Sequence, residues 1–170
     1  MIDDILQAVK AALQADERLA AVGSYRVADV IVPDTMASVS IFCRRLWHLD
    51  YNAAQDKAAA MVRIKAYQIH PDPEAGEQTV RQLASDIRYA LLANPYLEGL
   101  ADAATIIRTV FKQQTVNETE TLYIASMHYR VDYFEPRLRP PAAVPPALDT
   151  VEPKFRQIAS NEIQTWEDLL

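Results

Sequence analysis

The sequence is poor in glycine. Only three glycines occur among its 170 residues, at positions 23, 76 and 99. Loops that cradle a nucleotide phosphate need several glycines close together, so that backbone N–H groups can approach the phosphate. Glycines this far apart cannot form such a loop, and we do not expect nucleotide-dependent chemistry.

Cysteine and long apolar runs are scarce as well. The single cysteine, Cys43, excludes an intramolecular disulfide and a thiolate zinc cluster. No stretch approaches the roughly 20 apolar residues of a membrane span, and the N-terminus carries Asp3 and Asp4 where a signal peptide would be basic. We therefore expect a soluble protein that lacks a membrane partner.

The charge balance is acidic. The chain has 17 basic and 23 acidic residues, a formal net charge of −6. Affinity for nucleic acid comes mainly from cations that neutralise phosphates. The composition therefore argues against a protein whose purpose is to bind DNA or RNA.

Proline, in contrast, is abundant and unevenly placed. Six of the ten prolines lie between Pro136 and Pro153. Proline fixes φ and removes a backbone donor, so this stretch predicts an extended linker of polyproline II character. We divide the chain into a domain at 1–135 and a Pro-rich linker with a C-terminal arm at 136–170.

Apolar periodicity predicts the elements of the domain. We expect two helices, the first over residues 2–20 with Gly23 at its C-terminus and the second from the N-cap Asp72 to about Ala93. A long loop is expected at 45–57, with a helical turn in 53–60. The expected strands are 25–32, 37–44, 61–70, 104–114 and 119–134, the last two pairing as an antiparallel hairpin.

This order of elements predicts the fold class. Helices and strands alternate too sparsely for a doubly wound parallel sheet. We expect an α+β domain, a mainly antiparallel sheet of about five strands with both helices packed on one face. Such an architecture leaves the second sheet face and the sheet edges open to a partner.

The residue types that carry catalysis do not form a recognisable site. The three histidines, His48, His70 and His128, lack metal-ligand spacing. Cys43 and His48 could form a nucleophile and base, but Cys43 alternates with Ile41, as a small buried residue would. Glycines do not flank Ser38 or Ser40 as in a nucleophile elbow. We predict no catalytic, cofactor or metal site, and a protein that is not an enzyme.

Two segments are candidates for partner binding. Arg44, Arg45 and Trp47 lie together in the predicted loop, where they could contact a phosphate or a partner's carboxylates. The C-terminal arm is too short to be stable alone, so it must fold back, remain disordered or dock on another chain. The partner-binding candidates of the arm are Phe155, Ile158, Trp166 and Leu169.

Three stretches of the domain resemble the tail-terminator, or tail-completion, proteins of long-tailed bacteriophages. Residues 13–22 resemble the first helix of that family, and Pro33 followed by 37–42 resembles its early strand pair. The alternating strand 61–67, followed by the alanine-rich helix 77–92, carries most of the likeness. The final hairpin at 105–134 fits in position and length.

The resemblance implies a structural protein of the virion, assembled in the host cytoplasm. Such proteins form a ring, commonly a hexamer, that caps the tail tube and joins it to the connector or stopper of the neck. DNA would pass through the lumen without specific binding, helped by acidic residues if these line it. The loop at 44–57 would project toward the tube, and the arm would clasp a neighbour or the neck.

Other functions stay open at this point. A different neck component, a connector or stopper, could have a similar small domain. A binding module could offer its Pro-rich segment as a ligand for partner domains. A small enzyme would have to use Cys43 or the histidines.

Overall fold

A computed structural model describes residues 1–29, 33, 35–52, 54–117 and 119–137. Strands β1 (Ser24–Arg26), β2 (Ala37–Asp50), β3 (Gln55–His70), β4 (Ala103–Thr115) and β5 (Thr121–Pro136) form one sheet in the order β1-β2-β3-β5-β4. Only β1 runs parallel to its neighbour, and the other pairs are antiparallel. Helices α1 (Ile2–Gln14) and α2 (Pro73–Ala93) pack on one face. The predicted α+β class is confirmed.

Helix α2 follows the prediction closely. The Asp72 carboxylate accepts a hydrogen bond from the N–H of Ala75 at 2.7 Å, so Asp72 caps the helix as expected. Glu77 and Arg81 form the expected ion pair one turn apart. The predicted apolar stripe is buried against β3 and β5 and consists of Val80, Leu83, Ala84, Ile87 and Leu91.

Helix α1 is shorter than predicted. It ends at Gln14, and a 3-10 turn follows at Glu17–Leu19. Asp16 is extended, and its carboxylate accepts from the backbone N–H of Arg18 at 3.0 Å while also binding the Arg18 guanidinium. This local bonding competes with helix continuation. Residues 13–22, which resemble the first helix of the tail terminators, are therefore not one helix, and Gly23 is not an αL cap.

The predicted loop at 45–57 is wrong. Strand β2 continues to Asp50, and β3 begins at Gln55, so the two form one long hairpin. A bulge between Cys43 and Arg45 adds a residue and reverses the inside–outside alternation, which hid the strand in the sequence. At the turn, the Asn52 side chain accepts hydrogen bonds from the N–H groups of Ala54 and Gln55, both at 2.8 Å.

The alanines of β3 are also strand residues rather than the predicted helical turn. Ala58 and Ala60 are buried in the centre of the sheet, and Ala58 lies opposite Tyr133 of β5. Small side chains on β3 leave space for the large tyrosines of its neighbour. Packing thus overrides the low strand propensity of alanine.

Strand β5 reaches further than predicted and ends at Pro136. Strand β4 begins opposite Asp132, so the last residues of β5 pair with β3 alone. Proline is tolerated there because no second neighbour requires its N–H. Arg137 then donates its backbone N–H to Ala54 at 2.9 Å and forms ion pairs with Asp50 and Asp56, which attaches it to the β2–β3 turn. The division at residue 135 stays a prediction.

Candidate functional site: a basic, uncovered sheet face

The helices cover only one face of the sheet. Within the described part of the chain, no helix packs on the opposite face, which we call the open face. Alternate residues of the central strands point there, Met61, Arg63 and Lys65 from β3 and Ile124, Ser126 and His128 from β5, because their neighbours face the helices. A groove of about 890 Å³ runs across this face.

Strand register brings cations together in the groove. Arg63 lies opposite His128, and His128 lies opposite Arg108 of β4, so a row of basic side chains crosses three strands. Six Lys and Arg side chains line the groove, against the single carboxylate of Asp29 among the described residues that line it. The six cations are Arg44, Arg45, Arg63, Lys65, Arg108 and Lys112.

Among the residues that the structure describes, most of these cations form no ion pair. Asp29 pairs with Lys65 at 2.5 Å. The Arg63 guanidinium donates to the Ser126 hydroxyl at 2.9 Å, but its buried Nε has no hydrogen-bond partner. In the described residues, the side chains of Arg44 and Arg108 form no ion pair. The described lining of the groove therefore carries an excess of positive charge.

The pKa shifts report this crowding. Desolvation lowers the pKa of His128, and the nearby charges of Arg63, Arg108 and Arg44 lower it further. Desolvation is also the main cause of a lowered pKa for the Arg63 guanidinium; the charges of Arg44 and Arg108 lower it further, and the Asp29 carboxylate opposes them. An anionic ligand in the groove would oppose both effects.

Apolar side chains form the rest of the groove. Trp47 on β2 is 41% exposed, and Met61, Val110 and Ile124 contribute half-buried surface on the neighbouring strands. The groove therefore suits a ligand that carries negative charge together with apolar groups.

The structure places the predicted partner-binding residues as follows. Arg44, Arg45 and Trp47 line the groove, as part of β2 rather than of a loop, and their role in binding stays a prediction. Sequence reasoning found the pair Arg44 and Arg45 but missed its connection with β3 and β4, which only the register reveals. The arm residues Phe155, Ile158, Trp166 and Leu169 lie outside the described residues.

The catalytic candidates do not come together. Cys43 is half-buried, its thiol donates to the carbonyl of Arg45 at 3.3 Å, and desolvation raises its pKa. His48 pairs with the carboxylate of Glu135 at 2.5 Å, and His70 accepts from the N–H of Asp72. In the described ranges, no group of three or more His, Cys, Asp or Glu could hold a metal ion.

Further exposed apolar side chains lie near one another in the sequence at three places, which we call the apolar clusters. The hairpin tip carries Leu49 and Tyr51, and Tyr51 stacks at a tilt on Phe134 with ring centroids 4.8 Å apart. The α2 end carries Tyr89, Leu92 and Tyr96, and the β4 edge carries Ile107 and Phe111. Among the described helices, none is long and apolar enough to cross a membrane.

Fold and surface together define an α+β domain that, as far as the described residues extend, leaves one sheet face uncovered and exposes apolar clusters on three separate elements, as in proteins that bind other macromolecules. One solved structure with this fold is a chain of the virion of a native gene transfer agent (GTA) particle. It has a TM-score of 0.50 and 15% sequence identity to this chain, and the alignment covers 77% of this chain and 95% of that one. The protein thus shares its fold with a component of a virion.

No protein-family model matches the sequence. No curated protein matches it either.

Proposed function

We propose that this protein is a structural component of a virion, and that it forms a ring that caps the tail tube and joins it to the neck. The observation that carries the proposal is the fold shared with a chain of the gene transfer agent virion, of which 95% is covered. The resemblance of strand 61–67 and helix 77–92 to tail terminators supports the finer role.

The surface of the domain fits ring formation. A closed ring needs two unlike patches on each subunit, one meeting the other on the next subunit. The α2 end and the β4 edge are such a pair, because each exposes large apolar side chains and they lie on different elements. We assign the contact between subunits to these two clusters.

The β2–β3 hairpin supplies a separate contact. All seven residues from Arg44 to Asp50 are exposed, and β1 pairs only with residues 38–40, so among the described residues this part of β2 is an uncovered edge of the sheet. The hairpin takes the place of the loop expected to project toward the tube, and its tip presents Leu49 and Tyr51. We assign the tip to the end of the tail tube.

The first experiment measures assembly. Native mass spectrometry and negative-stain electron micrographs of the purified full chain should show a closed ring, which we expect to be a hexamer. Tyr89→Ser with Leu92→Ser should convert rings to monomers, while the matched pair Leu49→Ser with Tyr51→Ser should leave rings intact. A protein that stays monomeric at the concentrations where tails assemble would contradict the proposal.

A second experiment measures capping. When the ring is added to the polymerising tail tube protein of the same virion, tubes should stop growing at one end and carry a ring there. The Leu49 and Tyr51 variant should form rings that no longer stop growth. Rings that bind the neck protein but never the tube would instead identify a connector or stopper.

The arm adds a third test, in which the chain is ended after Arg137. Pro136 and Arg137 pair with the β2–β3 turn, so a deletion from residue 136 would disturb the domain itself. If the arm clasps a neighbour, the shortened chain should keep its circular dichroism spectrum and form rings less readily. Unchanged ring formation would refute the clasp.

A further inference from the structure

Only one of the six groove cations, Lys65, forms an ion pair within the described residues, with Asp29. Arg44, Arg63 and Arg108 are close enough to depress the pKa of the same histidine, His128, and the buried Nε of Arg63 makes no hydrogen bond. Arg44 and Arg108 are exposed and Arg63 is half-buried, but like charges brought this close repel one another, and the buried Nε of Arg63 is costly without a partner. The groove is therefore built for a ligand with several negative charges.

The ligand must also be partly apolar. Trp47, Met61 and Ile124 lie among the cations on the open face, where phosphates alone would leave them uncovered. Duplex DNA would satisfy the arginines but not these side chains. A peptide that alternates carboxylates with large apolar residues matches both parts of the groove.

The chain itself contains such a peptide. Residues 157–170 carry three carboxylates and no Lys or Arg, although the whole chain has 17 basic residues. The carboxylates are Glu162, Glu167 and Asp168, and the apolar residues are Ile158, Ile163, Trp166, Leu169 and Leu170. Residues 157–170 are therefore complementary to the groove in charge and in hydropathy.

The intervening segment is long enough. His128, in the middle of the groove, lies nine residues before Arg137 on β5, or roughly 30 Å at about 3.3 Å per strand residue. The segment from 138 to 156 can span on the order of 60 Å at about 3.1 Å per residue in polyproline II conformation. A tethered ligand acts at a local concentration in the millimolar range, so even a weak contact would be occupied.

We propose that residues 157–170 bind in the basic groove of the open face, on their own domain or on a neighbouring copy. The carboxylates pair with Arg44, Arg63 and Arg108, and the apolar residues cover Trp47 and Met61. The proposal does not depend on the tail-capping role, because the groove and the peptide belong to one chain.

The full-length protein allows a direct test, since its two tryptophans lie one on each partner. Trp47→Phe keeps an aromatic ring in the groove and leaves Trp166 as the single tryptophan. Its accessibility to acrylamide then reports whether the arm is bound. We expect Trp166 to be protected at low salt and several-fold more quenchable at 1 M salt, where the Debye length falls to about 3 Å.

Charge-reversal variants test whether the groove is the surface that binds the arm. Arg63→Glu with Arg108→Glu should expose Trp166 several-fold, and Arg81→Glu with Arg88→Glu, an equal charge change on the outer side of α2, should not. Reversal of the arm, with Glu162→Lys, Glu167→Lys and Asp168→Lys, should also expose Trp166 without touching the domain. Combined with the groove variant, the reversed arm should regain protection.

The outcomes are distinct. If Trp166 is equally accessible in the parent and in both reversed proteins, the arm does not bind the groove and the proposal is wrong. If the groove variant abolishes binding of labelled duplex DNA while Trp166 does not respond, the face is a nucleic-acid surface and the proposal is also wrong. Ring formation and tube capping are scored separately, so failure here leaves the proposed function to its own tests.

Discussion

Gly76 is the residue for which the structure reverses the usual expectation. It lies in helix α2, where replacing glycine by alanine normally stabilises by about 1 kcal/mol through backbone entropy. Here an added Cβ would be 2.2 Å from Cε2 of Tyr123 and 2.7 Å from two further ring atoms. Ordinary contact begins at 3.4 Å, so helix and ring would have to separate by more than 1 Å.

The position of the Tyr123 ring decides whether Gly76→Ala stabilises or destabilises the protein. Tyr123 is 2% exposed on the interior strand β5, so its ring cannot turn away into solvent. Overpacking of a core costs about 1–3 kcal/mol, and an approach of 2.2 Å to a ring atom places this substitution in the upper part of that range, above the helix-propensity gain. We predict that Gly76→Ala destabilises the protein by about 1–2 kcal/mol, or roughly 3–8 °C in Tm.

Urea and thermal unfolding followed by circular dichroism measure the change. Gln78 is exposed on the same helix, so Gln78→Ala against Gln78→Gly gives the propensity term without the clash. Tyr123→Leu removes the ring and should reduce the cost of Gly76→Ala, whereas Tyr123→Phe keeps the ring and should not. A Gly76→Ala protein that is more stable than the parent would refute the reasoning.

Three further predictions rest on single side chains. Tyr133→Phe should be neutral or stabilise by up to about 1 kcal/mol in urea unfolding, because the buried Tyr133 hydroxyl has no hydrogen-bond partner and its desolvation is uncompensated; a loss above about 2 kcal/mol would mean that the hydroxyl is bonded. Arg137→Ala should leave global stability nearly unchanged but accelerate hydrogen exchange of the Gln55 amide in the turn that Arg137 joins, and equal exchange in both proteins would contradict this attachment. The pKa of His128 is lower in the folded protein than in the unfolded chain, so the unfolded chain takes up this proton at a higher pH, and the free energy of unfolding should fall as the pH drops below about 6.5. NMR titration should show that Arg108→Gln raises the pKa of His128, and an unchanged pKa would argue against crowding in the groove.

Local sequence patterns were sufficient to predict the secondary structure of the second half of the domain. The N-cap at Asp72, the apolar stripe of α2 and the short connection before β5 are all encoded by neighbouring residues. Each of these predictions needed only a period, a cap or a turn. The helix and the final hairpin were therefore predictable from the sequence.

The structure of the first half depends on contacts between strands, which the sequence of one strand does not reveal. The bulge after Cys43 shifts the alternation of β2 by one residue, and the alanines of β3 become strand residues only beside the tyrosines of β5. The basic face is a property of register, because Arg63 and Arg108 are 45 positions apart and meet across His128. Sequence reasoning therefore found Arg44 and Arg45 but not the groove to which they belong.

The separation of charge on this domain has a kinetic consequence. The chain is acidic overall, with a net charge of −6, yet six cations line a single groove. The field of such a groove turns a charged partner toward one orientation before the two surfaces meet. The field of the open face would thus govern how fast and which way round a partner arrives, whereas the apolar clusters would determine how long it stays bound.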